Sequence, residues 1–448
     1  MINKKKINNW SRTINVKSII FKPKTYEDLK YLIQKDKYHP LTFRGSGCSY
    51  GDCALNSNGS IVDLSNFNKI LEINTSENFI LVQSGLKIEN LLNSIMPLNY
   101  FINNIPGSNN ATIGGCINSN VSGKDSFKYG NFSNNIECLK VMDSDGNILT
   151  IEKKDNKFQY SFGTYGLIYI ILESKIKIKK INSSFLKINT FKFKDFDEML
   201  NLFEKSAINN QEMMGAWVNH FDIKGSGIFK SAIWDEKNHL KFNPLNFKRK
   251  FTTRVFIKIF YPIIKILLVN RFVIKYLNYI LLFITKEGSI SSNFENFFFS
   301  QQKKIPEESK LYCKGKINIQ ILIPENNFKF IINKITYLCH KYKYESWWLG
   351  IKKHKGEIKN FYFEMNGFDI TLQWSKKYIQ NNKFNYFYKE LIKEVINNKC
   401  LIYLTQDILL NKNDFQNIYK EYYKFKELKN RMDPNSLFQN NLYNRLLK

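Results

Sequence analysis

The residues best placed to do chemistry in this sequence lie in two glycine-rich runs about 60 residues apart. The first, residues 44–52 (RGSGCSYGD), has glycines at 45, 47 and 51. Residues without a Cβ reach conformations closed to others, so successive backbone N–H groups can converge on a diphosphate. No helix with an acidic residue about 20 positions on follows, so this is not the dinucleotide fingerprint of a doubly wound fold. The Gly-Lys-Ser/Thr of a nucleoside-triphosphate loop is also missing. Alone, such a run is as often an ordinary turn. The second, residues 106–136 (PGSNNATIGGCINSNVSGKDSFKYGNFSNNI), carries glycines at 107, 114, 115, 123 and 130 among small hydroxyls. It has little that could fill a core, and a stretch of about 30 such residues inside a domain is usually functional. Backbone wrapped closely around an extended ligand accounts for both the glycines and the hydroxyls.

Hydrophobic periodicity gives the elements that must hold these runs. Residues 23–34 have helical spacing, and 41–43 form a short strand leading into the first run. Strands are predicted over 60–64, 79–83 and 166–178, a helix over 88–95, and a hairpin over 137–152 that turns at Ser144, Asp145, Gly146 and Asn147. Strands and helices do not alternate regularly, which argues for an α+β fold. Beyond about residue 182, strand-like runs at 186–193, 316–323 and 368–374 are interspersed with helices at 195–204 and 326–342. That is the pattern of a large antiparallel sheet with flanking helices. No repeat of fixed period is present.

A chain of 448 residues suggests two domains, and its 43% hydrophobic content excludes a disordered one. The net charge of +28 would suit nucleic acid, but only seven of the 67 basic residues are Arg. Base readers favour Arg, and no recognition motif occurs, so nucleic acid is not an expected partner. Anionic lipid or a phosphate-bearing substrate is the better match. The seven cysteines are scattered without CxxC spacing, which indicates neither a metal site nor a disulfide framework. The N-terminus, MINKKKINNW, lacks the apolar stretch of a signal peptide, so a cytoplasmic location is expected.

Residues 254–285 stand apart. They are mainly apolar but interrupted by Lys258, Lys265, Arg271 and Lys275. No uninterrupted run approaches the roughly 20 residues of a spanning helix. The four cations fall within about 140° of the helix circumference, leaving a broad apolar face. This predicts an interfacial segment on the inner face of the membrane, with core helices or a spanning hairpin as alternatives.

The two runs, in this order, carry a resemblance. With Pro23 and Glu27, Asp63-Leu64, Asp145-Gly146, Phe158 and the stretch 163–170, they make the sequence similar to the vanillyl-alcohol oxidase superfamily, whose FAD-binding fold is of the p-cresol methylhydroxylase type. Within it, WSRT at 10–13, Ser122-Gly123-Lys124 and Met432-Asp433-Pro434 resemble the branch that oxidises polyprenyl-phosphate-linked ribose. The resemblance implies a two-subdomain FAD-binding domain over 1–182, a substrate domain over 183–401, and a segment 402–448 returning to the first. It implies that Arg44, Gly45, Ser46, Gly47, Cys48, Ser49, Tyr50, Pro106, Gly107 and Ser108 wrap the FAD diphosphate and ribityl chain. Thr112, Gly114, Gly115, Ser122, Gly123, Ile170 and Tyr403 would line the cofactor further along. Where many relatives carry a histidine bonded to the flavin, this chain has Ser122, which implies non-covalent FAD.

On the substrate side the resemblance places Tyr50, Lys352, Asn318, Gln320 and Thr371. Gln406 stands where relatives have a lysine near the flavin, and an amide cannot act as a base near neutral pH. His354 could substitute, although a lone surface histidine there would be incidental. The implied activity is oxidation of a sugar's secondary alcohol to a ketone, positioned by Tyr50 and Lys352, with the product passed to a keto-sugar reductase. Two alternatives stay open: a soluble aldonolactone- or alditol-type oxidase, and a flavoprotein that binds a lipid-linked sugar without turnover.

Overall fold

A computed structural model of the chain describes residues 4–237, 245, 259–262, 270–304, 308–312, 314–356 and 363–448. Local chemistry starts the fold. The Thr25 hydroxyl accepts from the Asp28 N–H at 3.0 Å, and the Asp28 carboxylate accepts from the Thr25 N–H at 3.1 Å. This capping box opens the helix Tyr26–Ile33, whose buried Leu29, Leu32 and Ile33 pack with Leu41, Val62 and Phe438.

The N-terminal part holds two sheets. β1 (Lys5–Asn8), β2 (Asn15–Phe21), β3 (Leu41–Arg44) and β4 (Ser60–Asp63) form the first, in the order β1-β2-β4-β3. β5 (Ile70–Asn74), β6 (Phe79–Gln83), β8 (Ile136–Met142), β9 (Ile148–Glu152) and β10 (Ile170–Lys177) form the second, in the order β5-β6-β10-β8-β9. β7 (Tyr100–Phe101) pairs separately with β11 (Lys179–Lys180). The strand predicted from residue 166 begins instead at Ile170. Gly163, Tyr165 and Gly166 adopt left-handed backbone, with φ of 60°, 56° and 73°, and so form a turn. The last residues close on the first sheet: Leu41 N–H donates to the Leu437 carbonyl at 2.8 Å, and Gln439 N–H to that of Leu41 at 3.0 Å.

The remainder is built on one eight-stranded antiparallel sheet. Its strands are β12 (Phe185–Phe193), β13 (Met213–Val218), β14 (Gly227–Trp234), β15 (Gly288–Asn293), β16 (Lys316–Pro324), β17 (Leu349–His354), β18 (Gly367–Ser375) and β19 (Leu401–Ile402). Their spatial order is β15-β12-β14-β13-β17-β18-β16-β19. Five of them, β13, β14, β15, β17 and β19, and the helix Asn382–Asn397, lie outside the predicted elements. Side chains alternate across a strand, and here the two faces differ in kind. Phe368, Ile370, Leu372 and Trp374 face helices: Phe328 lies 4.6 Å from Phe368 and Phe387 lies 5.6 Å from Trp374, centroid to centroid. The opposite face carries cross-strand rows. Ile228, Trp217, Gly350, Thr371 and Gln320 form one. Lys230 and Gly215, then Lys352 and Asp369, form the next.

Of the expected membrane segment, residues 254–258 and 263–269, including Lys258 and Lys265, lie outside the described residues. The helix Arg271–Ile284 is 14 residues long, and no described helix is long and apolar enough to cross a membrane. It leaves Phe272, Tyr276, Ile280 and Phe283 exposed, Phe283 by 85%. Arg271 does not join a cationic sector facing outward. Its guanidinium is forked onto the buried Glu345 carboxylate, with Nε 2.7 Å from Oε2.

One ion cluster joins the parts. Arg445, in the helix Asn441–Leu446, binds both oxygens of Asp52 at 2.9 and 3.0 Å and Asp407 at 2.8 Å. Removing one partner of a buried pair strands the other, at a cost of about 3–5 kcal/mol. Arg445→Met is therefore expected to lower the urea midpoint by that equivalent. An unchanged midpoint would show that the cluster contributes nothing to stability.

Candidate functional site

A cavity of about 700 Å³ lies between the two glycine-rich runs and the polar face of the large sheet. Arg44, Gly45, Ser46, Gly47, Cys48, Ser49, Tyr50, Pro106, Gly107, Ser108, Thr112, Gly114, Gly115, Ser122, Gly123 and Tyr403 all line it. Ile170 does not. It packs in the core with Leu41 and Phe438, and its neighbour Ile171, on the other face of β10, reaches the cavity instead.

The first run is shaped by its own chain before any ligand. Gly47 has φ +66°, and a Cβ there would collide with the Arg44 guanidinium. That guanidinium donates to the carbonyls of Ala54 and Asn8, each at 3.0 Å, and so props the loop open. A Cβ on Gly45 would meet the Thr112 side chain, and one on Gly114 would press on Ser84. The Thr112 hydroxyl in turn accepts from Gly115 N–H at 3.3 Å and caps the helix Ile113–Ser119. Among the described residues, the backbone N–H groups of Ser46, Gly47, Cys48, Ser49, Gly107 and Ser108 find no protein acceptor. A bundle of unsatisfied donors beside Arg44, with no carboxylate lining that end, fits the diphosphate of FAD.

The other end is a connected polar network. Lys352, Asn318, Gln320, Thr371, Tyr50 and Gln406 all reach it. The Gln406 amide accepts from Asn318 and donates to Gln320 Oε1 at 2.6 Å. Gln320 then donates to Asp369 Oδ2 at 2.7 Å. The same oxygen receives Lys352 Nζ at 3.1 Å and His354 Nε2 at 2.5 Å, while Lys352 also reaches the Ser122 hydroxyl at 3.3 Å. His354 is thus not a lone surface residue: it is 2% exposed and committed to Asp369. Burial holds its pKa below the ordinary histidine value, against the pull of Asp369. Burial alone would raise Asp369, but Lys352 and His354 hold its carboxyl below the usual range. Asp369 Oδ1 is buried and has no protein partner.

Tyr50 sits beside a second buried pair. Its hydroxyl lies 3.5 Å from Lys316 Nζ, which stands 4.6 Å from the ring centroid and 3.0 Å from Glu308. Burial raises the Tyr50 pKa, so the group is a neutral phenol able to donate. The sequence reading missed Asp369, Lys316 and Glu308. A signal existed: Lys316, Asn318 and Gln320, like Asp369, Thr371 and Gln373, recur at every second position of apolar strands.

The Ser122 hydroxyl, bonded to Lys352, leaves no side chain at that position to attach a flavin. FAD is expected in the supernatant after acid precipitation of purified protein, and flavin kept in the pellet would contradict this. Gly47→Val, forced into left-handed backbone, is expected to cut flavin occupancy at least tenfold while the large sheet stays folded by circular dichroism. Full occupancy would show that the run is an ordinary turn.

Residues 18–152 match the family model described as FAD binding domain. Over 177 residues the chain is 26% identical to the decaprenylphosphoryl-beta-D-ribose oxidase of Mycolicibacterium smegmatis, covering 39% of this chain and 38% of that protein. It is 32% identical over 170 residues to the D-2-hydroxyglutarate dehydrogenase of Escherichia coli, covering 36% of this chain and 17% of that one. An FAD-linked oxidoreductase of Mycobacterium tuberculosis is 26% identical over 192 residues, which is 40% of this chain and 41% of the relative. The matched stretch spans less than half the length of each. The unsatisfied N–H groups and these matches lead to one statement: this α+β chain carries an FAD-binding domain of the p-cresol methylhydroxylase type, and FAD is its cofactor.

Proposed function

We propose that the chain is an FAD-dependent oxidoreductase that converts a secondary alcohol of a polyprenyl-phosphate-linked sugar to a ketone. The observation that carries this reading is the position of the helix Arg271–Ile284. Leu281, near its end, lines the cavity together with Trp217, Trp347 and Trp348, while Phe272, Tyr276, Ile280 and Phe283 stand exposed on the same helix. An apolar face of this kind needs a cover. A polyprenyl tail stays in the bilayer, at about 0.8 kcal/mol per buried CH₂, so the enzyme must meet it there. The net charge of +28 favours an anionic leaflet.

When bound, FAD supplies the hydride acceptor. The protein's part is to place the carbinol and take its proton. Gln320 and Thr371 share one row of the sheet and offer amide and hydroxyl groups to the sugar. The Tyr50 phenol donates to a sugar oxygen. Asp369 is the one carboxylate among the described lining residues, and in this reading it is where the hydroxyl proton ends, reached through the polar side chains bonded to it. Lys352 and His354 hold that carboxylate in place through Oδ2. Gln406 does not act as a base; it fixes Asn318 and Gln320. The keto-sugar lipid formed is suited to a reductase, giving net epimerisation.

Anaerobic stopped-flow tests this. A polyprenyl-phosphoryl ribose in anionic vesicles is expected to bleach the flavin absorbance, and Asp369→Asn to slow bleaching at least 100-fold with flavin content unchanged. Tyr276→Ser with Phe283→Ser is expected to slow reduction by the vesicle-borne substrate but not by a short-chain soluble analogue. Reduction by free alditols or 2-hydroxy acids alone would assign a soluble substrate, and no reduction by any alcohol would leave a binding protein.

A further inference from the structure

We propose that Lys316, paired with Glu308, is a positioning residue for the oxidation: it donates to the Tyr50 oxygen from the protein side and so turns the Tyr50 proton into the cavity. The inference rests on the reading of Tyr50 as a donor to the substrate, and goes beyond it by naming what aims the donor.

An ammonium group can only donate. Lys316 Nζ lies 3.5 Å from the Tyr50 oxygen and 4.6 Å from the centroid of its ring, so in this contact the phenol oxygen accepts. The Trp10 indole, also a donor only, acts on the same oxygen. Among the described residues the phenol proton finds no acceptor. Tyr50 and Trp10 both line the cavity, and the cavity is the direction left to that proton.

The cation is held in one place and one charge state. Lys316 is fully buried, which pulls its pKa down, but Glu308 at 3.0 Å and then Tyr50 more than offset this and hold it above the ordinary lysine value. The Gln373 amide directs its oxygen to Lys316 Nζ and its nitrogen to Glu308 Oε1, each at 3.2 Å. Glu308 Oε2 also accepts from Gln301 Nε2 at 2.7 Å. The three ammonium protons thus meet three acceptors: Glu308, Gln373 and Tyr50.

The phenol is fixed from the other side as well. Its backbone carbonyl accepts from Asn9 Nδ2 at 2.7 Å and from the Ser11 hydroxyl at 2.8 Å. The Ser11 carbonyl accepts from Lys316 N–H at 2.9 Å, and a Cβ on the preceding Gly315, at φ +99°, would press on that carbonyl. The WSRT run at 10–13 therefore rivets Tyr50 to the start of β16. Stability alone does not account for the ion pair, because apolar residues of the same volume usually serve a core as well or better. Its effect on the phenol does. The charged groups facing Tyr50 are Lys316 and Glu308: burial raises the Tyr50 pKa, Lys316 opposes this, and Glu308 adds to it to a lesser degree.

Neutron diffraction from the deuterated, FAD-loaded protein tests the aim without any substitution. The Tyr50 deuteron is expected to point into the cavity, with three deuterons on Lys316 Nζ and one of them directed at the Tyr50 oxygen. A Tyr50 deuteron directed at a protein acceptor, or a neutral Lys316, would overturn the proposal. In solution, 3-fluorotyrosine at position 50 reports ionisation of the phenol by fluorine NMR. Lys316→Met with Glu308→Gln, which strands no charge, is expected to raise that titration by about one pH unit or more, and Lys316→Arg to leave it near its original place. An unchanged flavin spectrum checks that both variants fold. The double substitution is expected to slow flavin reduction by polyprenyl-phosphoryl ribose about tenfold or more at unchanged half-saturation, and to add nothing in a Tyr50→Phe background. An unmoved titration, or a slowing that multiplies with that of Tyr50→Phe, would equally overturn it. A shifted titration in a protein whose flavin no alcohol reduces would sink the oxidation and leave the coupling of Lys316 to Tyr50 standing.

Discussion

The site depends on one half-buried cation. Arg445 holds Asp52, at the end of the first glycine-rich run, and Asp407, which directly follows Gln406. Without the guanidinium, two carboxylates at most 4% exposed would face each other in a low-dielectric interior. The same junction is closed by backbone. Gly51 N–H donates to the Thr405 carbonyl at 2.7 Å, and a Cβ at Gly51 would press on the carbonyls of Asp407 and Leu404. Asp407 also accepts from the N–H groups of Leu409 and Leu410. The cofactor loop and the segment that positions the polar network are therefore locked at a single point.

From that point the two ends of the cavity acquire opposite characters. The FAD end consists of backbone N–H groups and carries no carboxylate, which suits a diphosphate. The far end is a chain of amides ending on Asp369, flanked by the Lys316–Glu308 pair under Tyr50. Each buried charge there has a partner, so the network can stay in a dry site without driving its members neutral.

The local parts of this architecture were legible in the sequence. The helix at Ile88–Ile95 and the strand Phe79–Gln83 fall where periodicity put them, because both bury residues at regular spacing. The glycines of the first run marked the cofactor loop, although Gly45 and Gly47 turn out to be needed first against Thr112 and Arg44. What could not be read was set by register. Lys230, Gly215, Lys352 and Asp369 meet only through pairing of strands far apart in the chain. His354, within a run of lysines, looked exposed until strand alternation turned it inward toward Asp369. Ile170 and Ile171 show how a shift of one residue exchanges core for cavity.

The central claim is that one cavity brings the FAD loops and the polar sheet face together, and a crystal structure of the FAD-loaded protein tests it most directly. The account predicts diphosphate oxygens within hydrogen-bond distance of the Ser46–Ser49 N–H groups, and the isoalloxazine ring between Ser122 and the row of Thr371 and Gln320. A flavin ring away from that row, or a diphosphate bound elsewhere than residues 46–49, would contradict it.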